Sequence, residues 1–171
     1  GLTYNKVRKE HFTQEESEIF ENTVEEINKS GLILRDESGL NVIQLRSELI
    51  TLVRTHGIKA AFIDRVGLLS GIDGERDKRV IVDHATMVLK RTAKELGIPI
   101  VTASQLNRDC EKRQGFKMPM LADLANSGGS EQNATKVIAI YRPEQYGFEE
   151  DQDGQPCEGV AQMIIMKNRN N

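Results

Sequence analysis

Apolar residues recur at helical spacing in three stretches of the chain and gather into short unbroken runs in four others. Over 13–30, TQEESEIFENTVEEINKS, the residues Phe20, Val24 and Ile27 fall on one face. A Thr-x-x-Glu capping box opens that segment and Gly31 ends it, so it reads as a helix. From Asn41 the positions Val42, Leu45, Leu49 and Val53 repeat the pattern until Gly57 breaks it. A third helix is predicted over about 77–96, with Val80, His84, Val88 and Leu96 on or near one face and Gly97 and Pro99 as its stop. The runs at 59–64, 98–104, 136–142 and 160–167 are too short for helices and read as buried strands. Leu32–Arg35 is a shorter strand candidate, followed by a turn at Asp36-Glu-Ser-Gly39. Residues 71–79 and 105–123 are polar loops, a Gly/Ser-rich patch precedes the third strand, and the acidic loop EQYGFEEDQDGQPCEG leads to the last.

Strands that alternate with helices and are apolar on both faces predict an α/β fold, with a parallel or mixed sheet covered by helices. Ligands of such sheets sit beyond the carboxyl ends of the strands. Asp64 stands at one such end, and Ser104, Gln105 and Asn107 at the next. An aspartate there also serves as a turn or cap residue. The polar residues at the second strand end favour a ligand, with a metal ion beside Asp64.

Composition narrows the class. With 171 residues, 38% hydrophobic and 29% charged, one core is expected and one domain is the default. No apolar run approaches a membrane span, and the first residues lack the apolar centre of a secretion signal. A cytoplasmic protein without a membrane partner is the expectation. Cys110 and Cys157 lie far apart, with no His or Cys at zinc-ligand spacing, and read as free thiols. A formal net charge of −3 argues against a generally basic nucleic-acid-binding surface, so any such contact is local. His11, His56 and His84 need no catalytic role.

Four segments in order, FIDRVGLL, AKELGIPIVTASQLNR, PMLADLANSGGSEQNATKVIAIYR and IIMKNRN, together resemble the DnaB-type hexameric replicative helicases over nearly the whole chain. The resemblance implies a RecA-like P-loop NTPase core, a mostly parallel sheet flanked by helices and truncated at both ends, with residues 1–57 as helical segments and an edge strand and 58–171 as the core. It implies ATP and Mg²⁺ as cofactors. Asp64 matches the Walker B acid that helps hold Mg²⁺, with Ser104 beside the nucleotide. Gln105 matches the glutamine that senses the γ-phosphate. Lys167 and Arg169 match cations that reach the nucleotide of a neighbouring subunit, where they stabilise charge in phosphoryl transfer. Single-stranded DNA is the implied partner, contacted by the loop Ala125, Asn126 and Gly128 and by Arg108; a hexameric ring, a primase and a helicase loader are the others. The family usually has Arg and Glu where Ala125 and Asn126 stand, so one phosphate contact per subunit is lost here. Arg65 and Gly67 replace an aromatic and a glutamine, and Asn133 and Thr135 replace acids.

A motor of this kind needs a Gly-rich loop followed by Lys to cradle its triphosphate. No Gly-Lys pair occurs in the sequence. The resemblance accounts for this, because the family carries that loop, and the glutamate that activates water, upstream of the matched part. The chain therefore reads as an internal piece of a longer protein or a natural truncation, and the 171 residues alone are expected neither to bind ATP tightly nor to hydrolyse it. Two other readings stay open: a non-catalytic RecA-like module for oligomerisation or partner binding, and another RecA-like ATPase.

Overall fold

The computed structural model describes residues 2–9, 11–124 and 128–169. They form two compact units, Gly1–Glu37 and Ser38–Asn171.

The first unit holds α1 (Tyr4–Lys9) and α2 (Gln14–Lys29). Thr13 caps α2 as the sequence predicts: its hydroxyl accepts from the Glu16 N–H at 3.3 Å, and the Glu16 carboxylate accepts from the Thr13 N–H at 3.1 Å. Phe12 and Phe20 stack with ring centroids 5.1 Å apart. The strand expected at Leu32–Arg35 does not form. Leu34 is exposed and no ladder partner stands beside the segment among the described residues; the Leu32 N–H turns instead to the Ser30 hydroxyl at 3.3 Å.

The second unit begins with α3 (Val42–His56). Asn41 Oδ1 accepts from the N–H groups of Ile43 and Gln44, both at 3.0 Å, and Gly57 ends the helix at φ +63°, a conformation that suits glycine. Strand β1 (Ala61–Ile63), helix α4 (Lys78–Leu96) and strand β2 (Ile100–Thr102) follow, and β1 pairs with β2 in parallel. This βαβ crossover is what the alternation implied. The Gly/Ser-rich patch supplies a short helix, α5 (Gly128–Asn133), in place of a loop. The Asn133 amide donates to Thr86 Oγ1 at 3.1 Å and so ties α5 to α4. Strands β3 (Lys136–Tyr141) and β4 (Gln162–Asn168) then form a separate antiparallel pair, with an irregular register between Val137 and Ile138.

One core holds the βαβ unit together. Val42 and Leu49 of α3, Val82, Ala85 and Leu89 of α4, and Ala61, Val66, Leu69 and Ile98 form a single buried cluster. Arg46 on α3 and Glu95 on α4 add a surface ion pair at 2.8 Å. The strands are not buried on both faces as the sequence led us to expect. Side chains alternate across a strand, and the helices cover only the face that carries Ala61, Ile63 and Ile100. On the other face the register partners Phe62 and Val101 are 78% and 49% exposed. The second sheet repeats the pattern: Val137, Ala139 and Tyr141 are buried, while Ile138 and Ile140 meet their exposed partners Ile165 and Met163. Within this chain no helix lies over those faces among the described residues, and apolar runs alone do not tell how many layers cover a sheet.

Candidate functional site

The parallel register pairs Ile63 with Thr102, so the residues that follow, Asp64 on one strand and Ala103, Ser104 and Gln105 on the other, leave the sheet at neighbouring strand ends. The Ala103 N–H donates to Ile63 O at 3.1 Å and continues the ladder. Thr102 shapes the turn beside it: its hydroxyl donates to Ile63 O at 3.3 Å and accepts from the Val66 N–H at 3.2 Å. The chain is thereby bent at Asp64–Arg65 into a 3-10 turn, Val66–Leu68, whose Val66 is buried in the core. Sequence reasoning missed Thr102. The available signal was a β-branched hydroxyl at the last position of a strand next to the acid.

Asp64 is exposed, and its carboxylate makes no hydrogen bond or ion pair among the described residues. Ser104 and Gln105 open onto a cleft of about 220 Å³ whose other walls are Arg65 to Leu68 and, from α4, Lys78 and Val82. Asp64 itself lies outside that lining.

Lys167 and Arg169 lie at the end of β4, on the other sheet. The Lys167 ammonium donates to the carbonyl of Glu131 in α5. Burial holds the Lys167 amine below its ordinary range, and the positive charge of Arg169 pushes in the same direction. Arg169 is exposed, and its N–H donates to Thr135 O at 3.0 Å.

The basic loop sorts itself by partner. Lys112 pairs with Asp109 at 2.8 Å, Lys117 lies 5.6 Å from the centre of the Tyr146 ring, and Arg113 pairs with Asp123 while also donating to Met118 O at 2.9 Å. Arg108 is exposed and has no ion pair among the described residues. Asp123 is the hub that sequence reasoning did not find. Only 6% exposed, it holds Arg113, accepts from the Met120 N–H at 2.7 Å, and offers its own carbonyl to the Asn107 N–H at 2.6 Å. With the Leu106–Leu124 bridge it closes the 107–124 loop on itself. Gly128 is the first residue of α5, while Ala125 and Asn126 lie outside the described residues.

Both cysteines are free and buried. Burial raises both thiols above their usual range, and Cys157 Sγ donates to Phe148 O at 3.0 Å. Among the described residues no three His, Cys, Asp or Glu groups converge as a metal cage, and no helix is long and apolar enough to cross a membrane.

The fold has counterparts in known proteins. Residues 1–171 match the model of the DnaB-like helicase C terminal domain. The chain belongs to that family. The replicative DNA helicase DnaB of Rickettsia prowazekii is 32% identical over 98% of the chain and 34% of its own length. A solved structure described as an ATPase domain superposes with a TM-score of 0.85 at 27% identity, covering 99% of this chain and 59% of that one. A DnaB-like replicative helicase, described together with its interactions with primase, gives 0.80 at 28% identity over 97% of this chain and 39% of that one. The fold is therefore the RecA-like core of these ATPase domains. The chain spans about a quarter to a third of the curated relatives it matches, 23% for one from Mycobacterium leprae and 34% for the Rickettsia protein.

Proposed function

We propose that this chain forms part of the motor of an ATP-dependent replicative DNA helicase, which unwinds duplex DNA as a hexameric ring moving along single-stranded DNA. The observation that carries the reading is the pairing of Ile63 with Thr102, which brings an uncommitted carboxylate, Asp64, and an exposed amide, Gln105, to neighbouring strand ends. Membership of the DnaB-like family supports it across all 171 residues.

The residues present suit a nucleotide with its magnesium ion. Mg²⁺ keeps several waters and takes one or two carboxylates together with the phosphates of its nucleotide. A single exposed aspartate with no competing partner is a donor set of that type. Asp64 would hold the ion, which when bound neutralises charge developing on the transferred phosphoryl group. Thr102 positions Asp64 through the bent turn, while Ser104 and Gln105 supply hydrogen bonds at the phosphate end. Gln105 lies three residues beyond the end of β2, so a change in its contacts is felt at a strand that packs on the core through Ile100. Arg169, exposed at the end of β4, is the cation of its pair free to reach a nucleotide held by the next subunit. Lys167 would first have to leave the Glu131 carbonyl. Arg108, Ala125, Asn126 and Gly128 would follow the backbone of one DNA strand, a contact with little base preference. A primase and a loader are the partners of the whole protein, in the cytoplasm.

The test uses the full-length protein that contains this segment. Asp64→Asn should lower ATP hydrolysis at least a hundredfold. Arg169→Ala should do the same, and mixing the two inactive variants should restore part of the activity, because some interfaces then pair an intact acid with an intact arginine. Undiminished hydrolysis by Asp64→Asn would overturn the reading.

A further inference from the structure

The short helix α5 depends on contacts from outside itself. It is six residues long, and a helix so short has little stability of its own in water. Glu131 belongs to its last turn, where carbonyls have no partner within the helix. The Lys167 ammonium, reaching across from the end of β4, donates to the Glu131 carbonyl. It thereby satisfies an orphan acceptor and sets a cation at the negative end of the helix dipole. Asn133 anchors the same helix to α4, its amide donating to Thr86 Oγ1 at 3.1 Å. Just beyond α5 the Arg169 N–H donates to Thr135 O at 3.0 Å, a main-chain contact that leaves the guanidinium out of the tether.

Lys167 sits where its charge is poorly served. Burial disfavours the ammonium most, the positive charges of Arg169 and Lys90 add to this, and Glu131 opposes it. A charged acceptor brought within reach would compete well against the neutral carbonyl, because a hydrogen bond between two ionised groups is the stronger kind.

We propose that Lys167 is a latch on α5: it holds the helix to the end of β4 within its own chain, and it has to let go of α5 before it can serve a nucleotide held by the next subunit. The contact with Glu131 is half-buried inside the chain and a neighbour's nucleotide lies outside it, so one side chain does not reach both. Lys167 is then a positioning residue for α5 in the free subunit, and filling the neighbouring nucleotide site loosens that helix. The release step rests on the helicase reading; the tether to Glu131 does not.

The experiment follows amide hydrogen exchange by mass spectrometry in peptides that cover α5, with peptides from α3 as the internal reference. Wild type is compared with Lys167→Met, which keeps the apolar stem but has no donor, and with Lys167→Arg, which keeps a cationic donor. In the 171-residue chain without nucleotide, Lys167→Met should speed exchange of α5 about tenfold or more, while α3 stays as it was and Lys167→Arg retains most of the protection. In the full-length protein that contains this segment, a saturating ATP analogue that is not hydrolysed should speed α5 exchange in wild type by a similar factor. Lys167→Met, already fast, should not respond to it. Equal α5 exchange in wild type and Lys167→Met overturns the latch. So does wild-type α5 that stays as protected with the analogue bound as without it. If the full-length protein does not bind the analogue at all, the helicase reading fails and takes the release step with it, while the tether is decided by the 171-residue chain alone.

Discussion

Replacing Asp123 by Ala tests the claim that one buried carboxylate closes the 107–124 loop. The substitution removes the charged partner of Arg113 and leaves the Met120 N–H without its acceptor at 2.7 Å. A hydrogen bond from a backbone N–H to a carboxylate contributes about 1.5–3 kcal/mol. The ion pair contributes less than a fully buried one, because the Arg113 side chain is 33% exposed against 8% for Asp123, and solvent screens its guanidinium. About 1 kcal/mol is a fair share for it, so the total loss should be about 3 kcal/mol. For a chain of this length that lowers the melting temperature by roughly 6–12 °C. Urea denaturation of wild type, Asp123→Ala, Arg113→Ala and the double variant forms a thermodynamic cycle. The coupling between the two residues should be at least about 1 kcal/mol, since Arg113→Ala strands the carboxylate that Asp123→Ala removes. Limited proteolysis should then cut first between 107 and 124. Strict additivity of the two substitutions, with the loop no more susceptible than in wild type, would refute the reasoning.

Three other outcomes follow from the same geometry. Thr102→Val should cost about 1–2 kcal/mol by leaving the Val66 N–H unsatisfied and should depress hydrolysis in the full-length protein, whereas Thr102→Ser should keep most of both; urea titration and an ATPase assay read these. Lys167 should lose its proton at lower pH than the ordinary lysine value of 10.5, a shift visible in an NMR titration of its side chain. Because the folded value is the lower one, the unfolded chain binds more protons between that value and 10.5, and stability should rise with pH across that interval. Arg169→Ala should move the titration only part of the way back, since burial is the larger cause; an ordinary lysine titration in wild type would contradict the assignment. Ile140→Lys combined with Met163→Lys, on a face where these residues are 70% and 71% exposed, should shift the chain towards monomer in sedimentation velocity, and an unchanged distribution would show that this apolar face does not drive association.

Local chemistry made much of the fold legible. The Thr13 and Asn41 capping boxes and the glycines at 57 and 97 act within a few residues of themselves, so the helix ends read from the sequence and those observed agree closely. The strands were legible as elements but not in their surroundings. Phe62 and Ile140 are as apolar as any core residue, yet each lies on an uncovered face. Leu32–Arg35 has strand composition and no strand to pair with among the described residues, and the Gly/Ser-rich segment is helical from Gly128, with Asn133 anchored on α4.

What the sequence determined by itself was the kind of elements, their order, and the placing of an acid and an amide at strand ends, because spacing, caps and breakers act over short range. Tertiary structure alone decided which strand ends are neighbours, that Thr102 bends the turn at Asp64, that Asp123 takes Arg113 out of the set of free cations, and that Arg65 and Lys78 share a cleft without a counter-ion. Those relations join residues from 10 to 36 positions apart in the hydrogen-bonded cases, and only the pairing of β1 with β2 and the closing of the 107–124 loop on itself bring such groups within reach of one another.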